Sequence, residues 1–399
     1  MGLVQFIREW RELYRFKALP EKSRSIVFYA EDAATWKHLH PIIQNLEECF
    51  GGKVCYITSS PHDPILEQQG SQIEAFYVGA GSARTVLFLS LRADLMVMTM
   101  PDFGHFHIKR SKYPVHYVYV FHSLVSTHMI YRPRAFDNFD SILCVGPHHM
   151  AEIRATESAY GLKPKELVEA GYGLLDSIIS SGINSGPTEA HSEDAPASQA
   201  KRVLIAPSWG PDALLEICGR ELVEQLLGAG HHVTVRPHPM TMRLNPKLLK
   251  ELRNLFGDRP NFALELRLAS QGTVSDSDVM ISDWSGAALE YAFGLEHPVL
   301  YIDVPRKVNN PEYQRIDCVP IEVALRSEIG VVVAPNQLQE VPYWIEVLCS
   351  DPSAWRERIR DLRQRWVYNV GSSGAVGASY ITELSAKSSS VEVTSAGEN

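Results

Sequence analysis

The chain has 399 residues, with 38 Lys and Arg against 47 Asp and Glu for a formal charge of -9 at neutral pH. An acidic balance of this kind argues against nucleic acid as the main partner, and 45% hydrophobic with 21% charged residues is the composition of an ordinary soluble globular protein. The length exceeds one typical core, so two domains are expected. Cys49, Cys55, Cys144, Cys218, Cys318 and Cys349 are scattered without a CxxC pair. They read as reduced thiols in a cytosolic setting rather than a disulfide framework or a zinc site. No run approaches the ~20 apolar residues a spanning helix requires, and no signal-peptide core stands near the start.

Residues 1–20 read as an amphipathic helix. Leu3, Ile7, Trp10 and Tyr14 share one face, and Arg8, Arg11 and Arg15 share another. That pattern suits either an anionic membrane surface, contacted through residues 3–17, or a face packed on protein. Residues 21–180 then read as an α/β domain. Ile26–Tyr29, Val54–Ile57, Leu95–Met98, Val115–Val120 and Ser141–Val145 are apolar strand runs, and Trp36–Phe50 is a helix. Glu166–Gly171 leads into Gly171-Tyr172-Gly173-Leu174-Leu175-Asp176.

Residues 181–200, rich in Gly, Ser, Pro and acidic side chains, form a linker or disordered loop. Residues 201–354 repeat the α/β pattern: strand Val203–Ala206, helix Asp212–Leu227, strand Val233–Val235, helix Asn245–Leu255, strand Val279–Ile281, a helix from Ala287, and strand Val299–Ile302. Residues 355–386 contain helices that return to the first half, and 387–399 read as a disordered tail. Strands alternating with helices imply mostly parallel sheets covered on both faces, with ligands at the strands' C-terminal edges in the cleft between the halves.

Three constellations at such edges carry chemistry. The first is Ser282-Asp283-Trp284-Ser285-Gly286, which ends a buried strand and opens a helix. Ser285 is a suitable N-cap, Gly286 permits close backbone approach, and the opening amides favour an anion. A capped helix with no ligand is the plain alternative. Glu290, a little over one turn further on, is a carboxylate placed for ribose hydroxyls, or simply a solvated helix residue.

The second is Arg236-Pro237-His238-Pro239. Two prolines stiffen a turn that presents a guanidinium fork and an imidazole to phosphate oxygens; an ordinary strand-ending turn would look the same. The third is Phe121-His122-Ser123. His122, at the end of a long strand, is placed to accept a proton from a hydroxyl, or is a core histidine. The neighbouring His105, His107, His116 and His128 do not follow zinc spacing, so no metal is expected.

These stretches, FHS, GYGLLD, RPHP, SDWSGAALEYAFGLEHPVLYID and the later NVGSSG in chain order, resemble the CDP-glycerol glycerophosphotransferase family of teichoic-acid and capsule polymer synthesis. The resemblance covers roughly His122 to Ile381. It implies a GT-B fold, two Rossmann-like domains with mostly parallel sheets facing a central cleft, and no cofactor. A CDP-activated polyol would be the donor, and a cell-surface polymer or its lipid-linked precursor the acceptor. It further implies that His122 is the general base, that Arg236 and His238 bind the pyrophosphate, and that Ser282, Asp283, Ser285 and Gly286 form the phosphate turn. Glu290 matches an acidic position in the following helix. Ser123 departs from the family's usual glycine, and Gly173-Leu174 from its usual proline and arginine. Sugar-nucleotide enzymes of the same fold, including UDP-sugar 2-epimerases, and a non-catalytic nucleotide-binding scaffold are the other readings.

Overall fold

A computed structural model of the chain describes residues 2–50, 53–68, 72–105, 107–184, 200–266 and 272–395. The first half is a seven-stranded parallel sheet. Its strands are β1 (Ile26–Ala30), β2 (Val54–Thr58), β3 (Ile73–Tyr77), β4 (Leu95–Met98), β5 (His116–Val120), β6 (Ser141–Cys144) and β7 (Glu166–Glu169), in the order β3-β2-β1-β4-β5-β6-β7. The second half is a six-stranded parallel sheet of β8 (Arg202–Ile205), β9 (His232–Val235), β10 (Phe262–Leu264), β11 (Val279–Ser282), β12 (Val299–Ile302) and β13 (Gly330–Val333). Its order is β10-β9-β8-β11-β12-β13. Both halves therefore repeat the doubly wound arrangement, in which the strand order reverses at the centre and opens a crevice there.

The central strands are short runs buried on both faces, as helix-covered parallel sheets require; β2, β4, β6, β11 and β12 are buried along their whole length. The covering helices of the first half are α1 (Leu3–Ala18), α2 (Trp36–Phe50), α3 (Ser82–Ser90), α4 (Pro147–Tyr160) and α5 (Gly173–Asn184). In the second half they are α6 (Leu214–Gly228), α7 (Pro239–Leu244), α8 (Pro246–Phe256), α9 (Gly272–Ser275), α10 (Gly286–Leu295), α11 (Ile321–Ala324), α12 (Val341–Ser350) and α13 (Pro352–Trp366). The last helix, α14 (Ser373–Ser395), lies against α2 of the first half. It carries into residues 387–395, where the composition had suggested a disordered tail. Most of the Gly- and Ser-rich linker, residues 185–199, lies outside the described residues, and its first residues belong to α5.

The helix α10 joins the two halves. Its Ala288, Leu289, Tyr291, Ala292 and Phe293 belong to the same apolar cluster as Tyr29, Tyr117 and Tyr119 of the first sheet. It packs on α5 of the first half and on α13. GYGLLD and NVGSSG, far apart in the chain, also meet. Gly171 has φ +95°, and a Cβ there would lie 2.3 Å from the Tyr368 carbonyl oxygen. Asp176 accepts the Gly371 and Ser373 amides at 2.7 and 3.0 Å, which fixes the entry to α14.

The N-terminal helix is held to its own protein through Leu13 and Phe16, with Arg15 over Phe76 and Arg8 over Tyr77. Leu3, Val4, Phe6, Ile7 and Tyr14 remain on its outer side.

Candidate active site

The end of β5 and the start of α10 meet across the crevice. A Cβ built on Gly286 would lie 2.4 Å from Ser123 Oγ and 3.1 Å from Val125 Cγ1. Glycine is therefore required here by close approach of the FHS loop to the helix N-terminus. Ser285 caps α10, its Oγ accepting the Ala287 amide at 3.3 Å. His122 stands at the head of the opposing loop, next to the residue that touches Gly286.

His122 is half-buried. Its Nδ1 is 3.3 Å from Tyr119 Oη, and its ring lies 6.1 Å from that of His38 and 5.8 Å from that of Tyr131. Burial pushes its pKa below the usual imidazole value, and the Lys37 charge adds to this; a hydrogen bond to the Thr99 backbone works the other way. The ring is therefore neutral near pH 7, the form a general base needs.

Behind it, His38 stacks on Tyr172 at 6.0 Å with 22° between the planes, and the Tyr172 hydroxyl donates to Glu290 Oε1 at 2.7 Å. Burial raises the Glu290 carboxyl and lowers the His38 imidazole well below its normal range. Glu290 is thus a partnered carboxylate turned toward the first half, neither a solvated helix residue nor one reaching outward to a ribose. The reason is packing: α5 and α10 approach so closely that a Cβ on Gly294 would lie 2.5 Å from Ile178 Cγ2.

On the other side of the turn, Asp283 is buried and fully engaged. Oδ1 accepts the Ser208 and Trp284 amides, both at 2.7 Å, while Oδ2 accepts the Ser208 hydroxyl and the Leu214 amide, both at 3.0 Å. One carboxylate therefore ties the SDWSG turn to the loop after β8 and to the first turn of α6. Ser282 donates its hydroxyl to the Ala206 carbonyl at 2.8 Å. The expectation that Ser282 and Asp283 touch phosphate directly is corrected to this extent: their side chains shape the turn, because each polar atom already has a buried partner.

The loop that Asp283 holds carries Trp209, whose ring lies 6.0 Å from that of His238. His238 Nδ1 accepts the Met240 amide at 3.1 Å, which leaves the proton on Nε2. Burial, assisted by the Lys307 charge, lowers His238 to about 4. It offers phosphate an N–H donor, not the positive charge the sequence had also allowed.

Arg236 is bonded to Glu265 through Nε at 2.9 Å and Nη2 at 2.8 Å. Glu265 follows β10, on the side of β9 away from β11, so the guanidinium is engaged by a carboxylate there. Among the cations near the turn, Arg326 and Arg306 lie 3.9 and 5.4 Å over the Trp284 ring, and Lys307 lies 4.2 Å over the Trp209 ring with Nζ donating to the Trp209 carbonyl at 3.1 Å. Burial lowers Lys307 to about 8, against the pull of Asp283 and Glu216. An anion held by this ammonium should accordingly bind roughly tenfold more weakly at pH 9 than at pH 7, as the group deprotonates. Calorimetry at the two pH values checks this, and equal affinity would remove Lys307 from the anion site.

The sequence reading missed His38, Tyr172 as a side chain, and Lys307. Each lies far along the chain from its partners, and only the adjacency of Lys307 to the strand β12 and its aspartate offered a signal. Among the described residues no group of three or more His, Cys, Asp or Glu is arranged to hold a metal.

No protein-family model matches the sequence, and no curated protein matches it. Solved structures do. The wall teichoic acid polymerase TagF superposes with a TM-score of 0.60 at 15% identity, covering 96% of this chain and 95% of that one. A TagF variant soaked with CDPG gives 0.59 at 13% identity, covering 97% and 99%. This chain has the fold of TagF. The UDP-GlcNAc 2-epimerase of Methanocaldococcus jannaschii, in complex with UDP-GlcNAc and UDP, also matches, with a TM-score of 0.53 at 12% identity over 90% and 99%. The architecture is thus GT-B, as the motifs implied, and at these identities the likeness establishes the fold alone.

Proposed function

We propose that the protein is a transferase that moves a polyol phosphate, such as glycerol phosphate, from a CDP-activated donor to a hydroxyl of a cell-surface polymer or its lipid-linked precursor. The observation that carries this reading is the single turn, Ser282–Gly286: the loop that follows His122 packs on its helix opening through Ser123 and Val125, and its Asp283 ties in the loop of Trp209, beside which His238 and Lys307 lie. The acceptor hydroxyl gives its proton to His122, and the freed oxygen attacks the β-phosphorus. The bond from that phosphorus to the bridging oxygen breaks, and CMP leaves. The step uses the tautomer in which Nδ1–H donates to Tyr119 Oη and Nε2 keeps the lone pair. The opening amides of α10, the Nε2–H of His238 and the ammonium of Lys307 meet the charge on the diphosphate, which is the positioning and electrostatic work such transfers need.

The outer face of α1 completes the reading for an acceptor on a membrane. Leu3 is 74% and Val4 83% exposed, on the same helix as the exposed Arg11, a pairing suited to an anionic lipid surface. No helix among the described residues is long and apolar enough to cross a membrane.

A melting-temperature panel with CDP, CMP, UDP and GDP tests the donor. A ligand at 100 times its Kd adds about 2.7 kcal/mol to the folded state. Selective stabilisation by cytidine nucleotides is expected. Preference for UDP would move the assignment to the sugar-nucleotide enzymes that share this fold, and tight CDP binding with no turnover would favour a scaffold.

A further inference from the structure

The loop that carries His122 is held alternately by the two halves of the molecule. From the first half, His148 and His149 of α4 donate Nε2–H to the Leu124 and Val125 carbonyls, both at 2.9 Å, and Glu152 Oε2 accepts the Thr127 amide and hydroxyl at 2.6 and 2.7 Å. From the second half, Glu322 Oε1 accepts the Ser126 amide at 2.8 Å and its hydroxyl at 3.2 Å. His128 Nε2 donates to the Cys318 carbonyl at 3.1 Å, and Asn310 Nδ2 donates to the His128 carbonyl at 2.8 Å. The Asn309 amide donates to Met129 O at 3.0 Å, and its Nδ2 to Ile130 O at 2.7 Å. All the second-half partners lie on one segment, 309–322, and Lys307 stands two residues before it.

We propose that this segment is a strap by which the nucleotide half sets the position of the base, with Glu322 as its positioning residue. Three features point there. Glu322 and the Ser126 pair are buried, so the bonds do not exchange with water; burial raises the Glu322 carboxyl to about 7, and Oε1 accepts both Ser126 donors in either protonation state. Ser126 is four residues from His122, with the Gly286 contact between them, so the register of the loop at Ser126 sets how His122 stands over the helix N-terminus. The strap also begins at a cation beside the diphosphate turn, so the groups that grip the donor and the group that takes the acceptor proton share one connected element. Glu322 touches neither substrate in this account. It acts through the loop.

The proposal rests on His122 as base, and the test separates the two. In Glu322→Ala the Ser126 amide and hydroxyl lose their acceptor. Amide exchange at residues 123–130 should speed up at least tenfold while β8 and β9 stay protected. CMP release from CDP-glycerol should fall tenfold or more in kcat, with CDP affinity within twofold of the unchanged protein. Glu322→Gln retains a carbonyl oxygen for the same two donors and should restore both readings to within about threefold. If Glu322→Ala does not fold, Asn310→Ala, which removes one strand of the strap, should show the same loop-confined exchange and the same split between kcat and CDP affinity. Unchanged loop exchange, a loss of CDP affinity equal to the loss of turnover, or failure of Glu322→Gln to restore would each overturn the strap. If His122→Ala keeps full turnover, the base assignment fails instead, and the exchange arm still decides whether Glu322 holds the loop.

Discussion

Replacing His122 with alanine is expected to lower turnover by ~10²–10⁴-fold while leaving CDP affinity within about twofold. The imidazole sits on the first half, across from the groups proposed to grip the diphosphate, and its truncation removes no donor from them. Because burial holds its pKa below the ordinary imidazole value, the neutral form persists into mildly acidic solution. The acid limb of the pH–rate profile should therefore lie below about 6.5, rate being lost as pH falls through the pKa of the folded protein. CMP release from CDP-glycerol measures both, and a variant with a normal rate, or an acid limb above neutrality, would remove His122 from the chemistry.

Replacing Asp283 with alanine is expected to have the largest effect on stability. Four donors converge on this carboxylate, three of them backbone amides from two different loops, and the group is buried. Truncation leaves those donors unsatisfied in a water-poor site, at a cost on the order of 3–5 kcal/mol. The melting temperature of the second half should drop by roughly 10 °C. CDP affinity should fall too, because Trp209 and the start of α6 lose their tether to the turn. Asp283→Asn can accept at one oxygen only and should fall between the two. A melting temperature within a degree of the parent would mean the loops are held by other contacts.

The strands that were legible in the sequence were those in which an apolar run is bounded by a polar turn: β1, β2, β4, β5, β6, β8, β9, β11 and β12, all but β9 buried along most of their length. The edge strands β3, β7, β10 and β13 were not read as strands. Their burial is partial, so neither an apolar run nor a clean alternation marks them. His122 and the SDWSG turn stood out because each ends such a buried run, and the loop that follows His122 meets the turn through Ser123 and Val125 against Gly286. Arg236 stood out for the same reason, but sequence could not show that Glu265, twenty-nine residues on, would take its guanidinium. His38 was one polar residue in an amphipathic helix, and Lys307 lies in a stretch without periodicity. Their significance comes from neighbours 134 and 98 residues away, Tyr172 and Trp209. Asp283 was read for its place in the turn and not for its partners, so a clamp was taken for a ligand.

The most direct measurement is a crystal structure of the His122→Ala variant with CDP-glycerol bound. The account predicts the diphosphate at the N-terminus of α10, within hydrogen-bond reach of its opening amides and of Lys307 Nζ, with the β-phosphorus facing the space left by the imidazole. A diphosphate found elsewhere, for instance in the cavity of about 580 Å³ beyond Trp284 that Arg306 and Arg326 line, would contradict it.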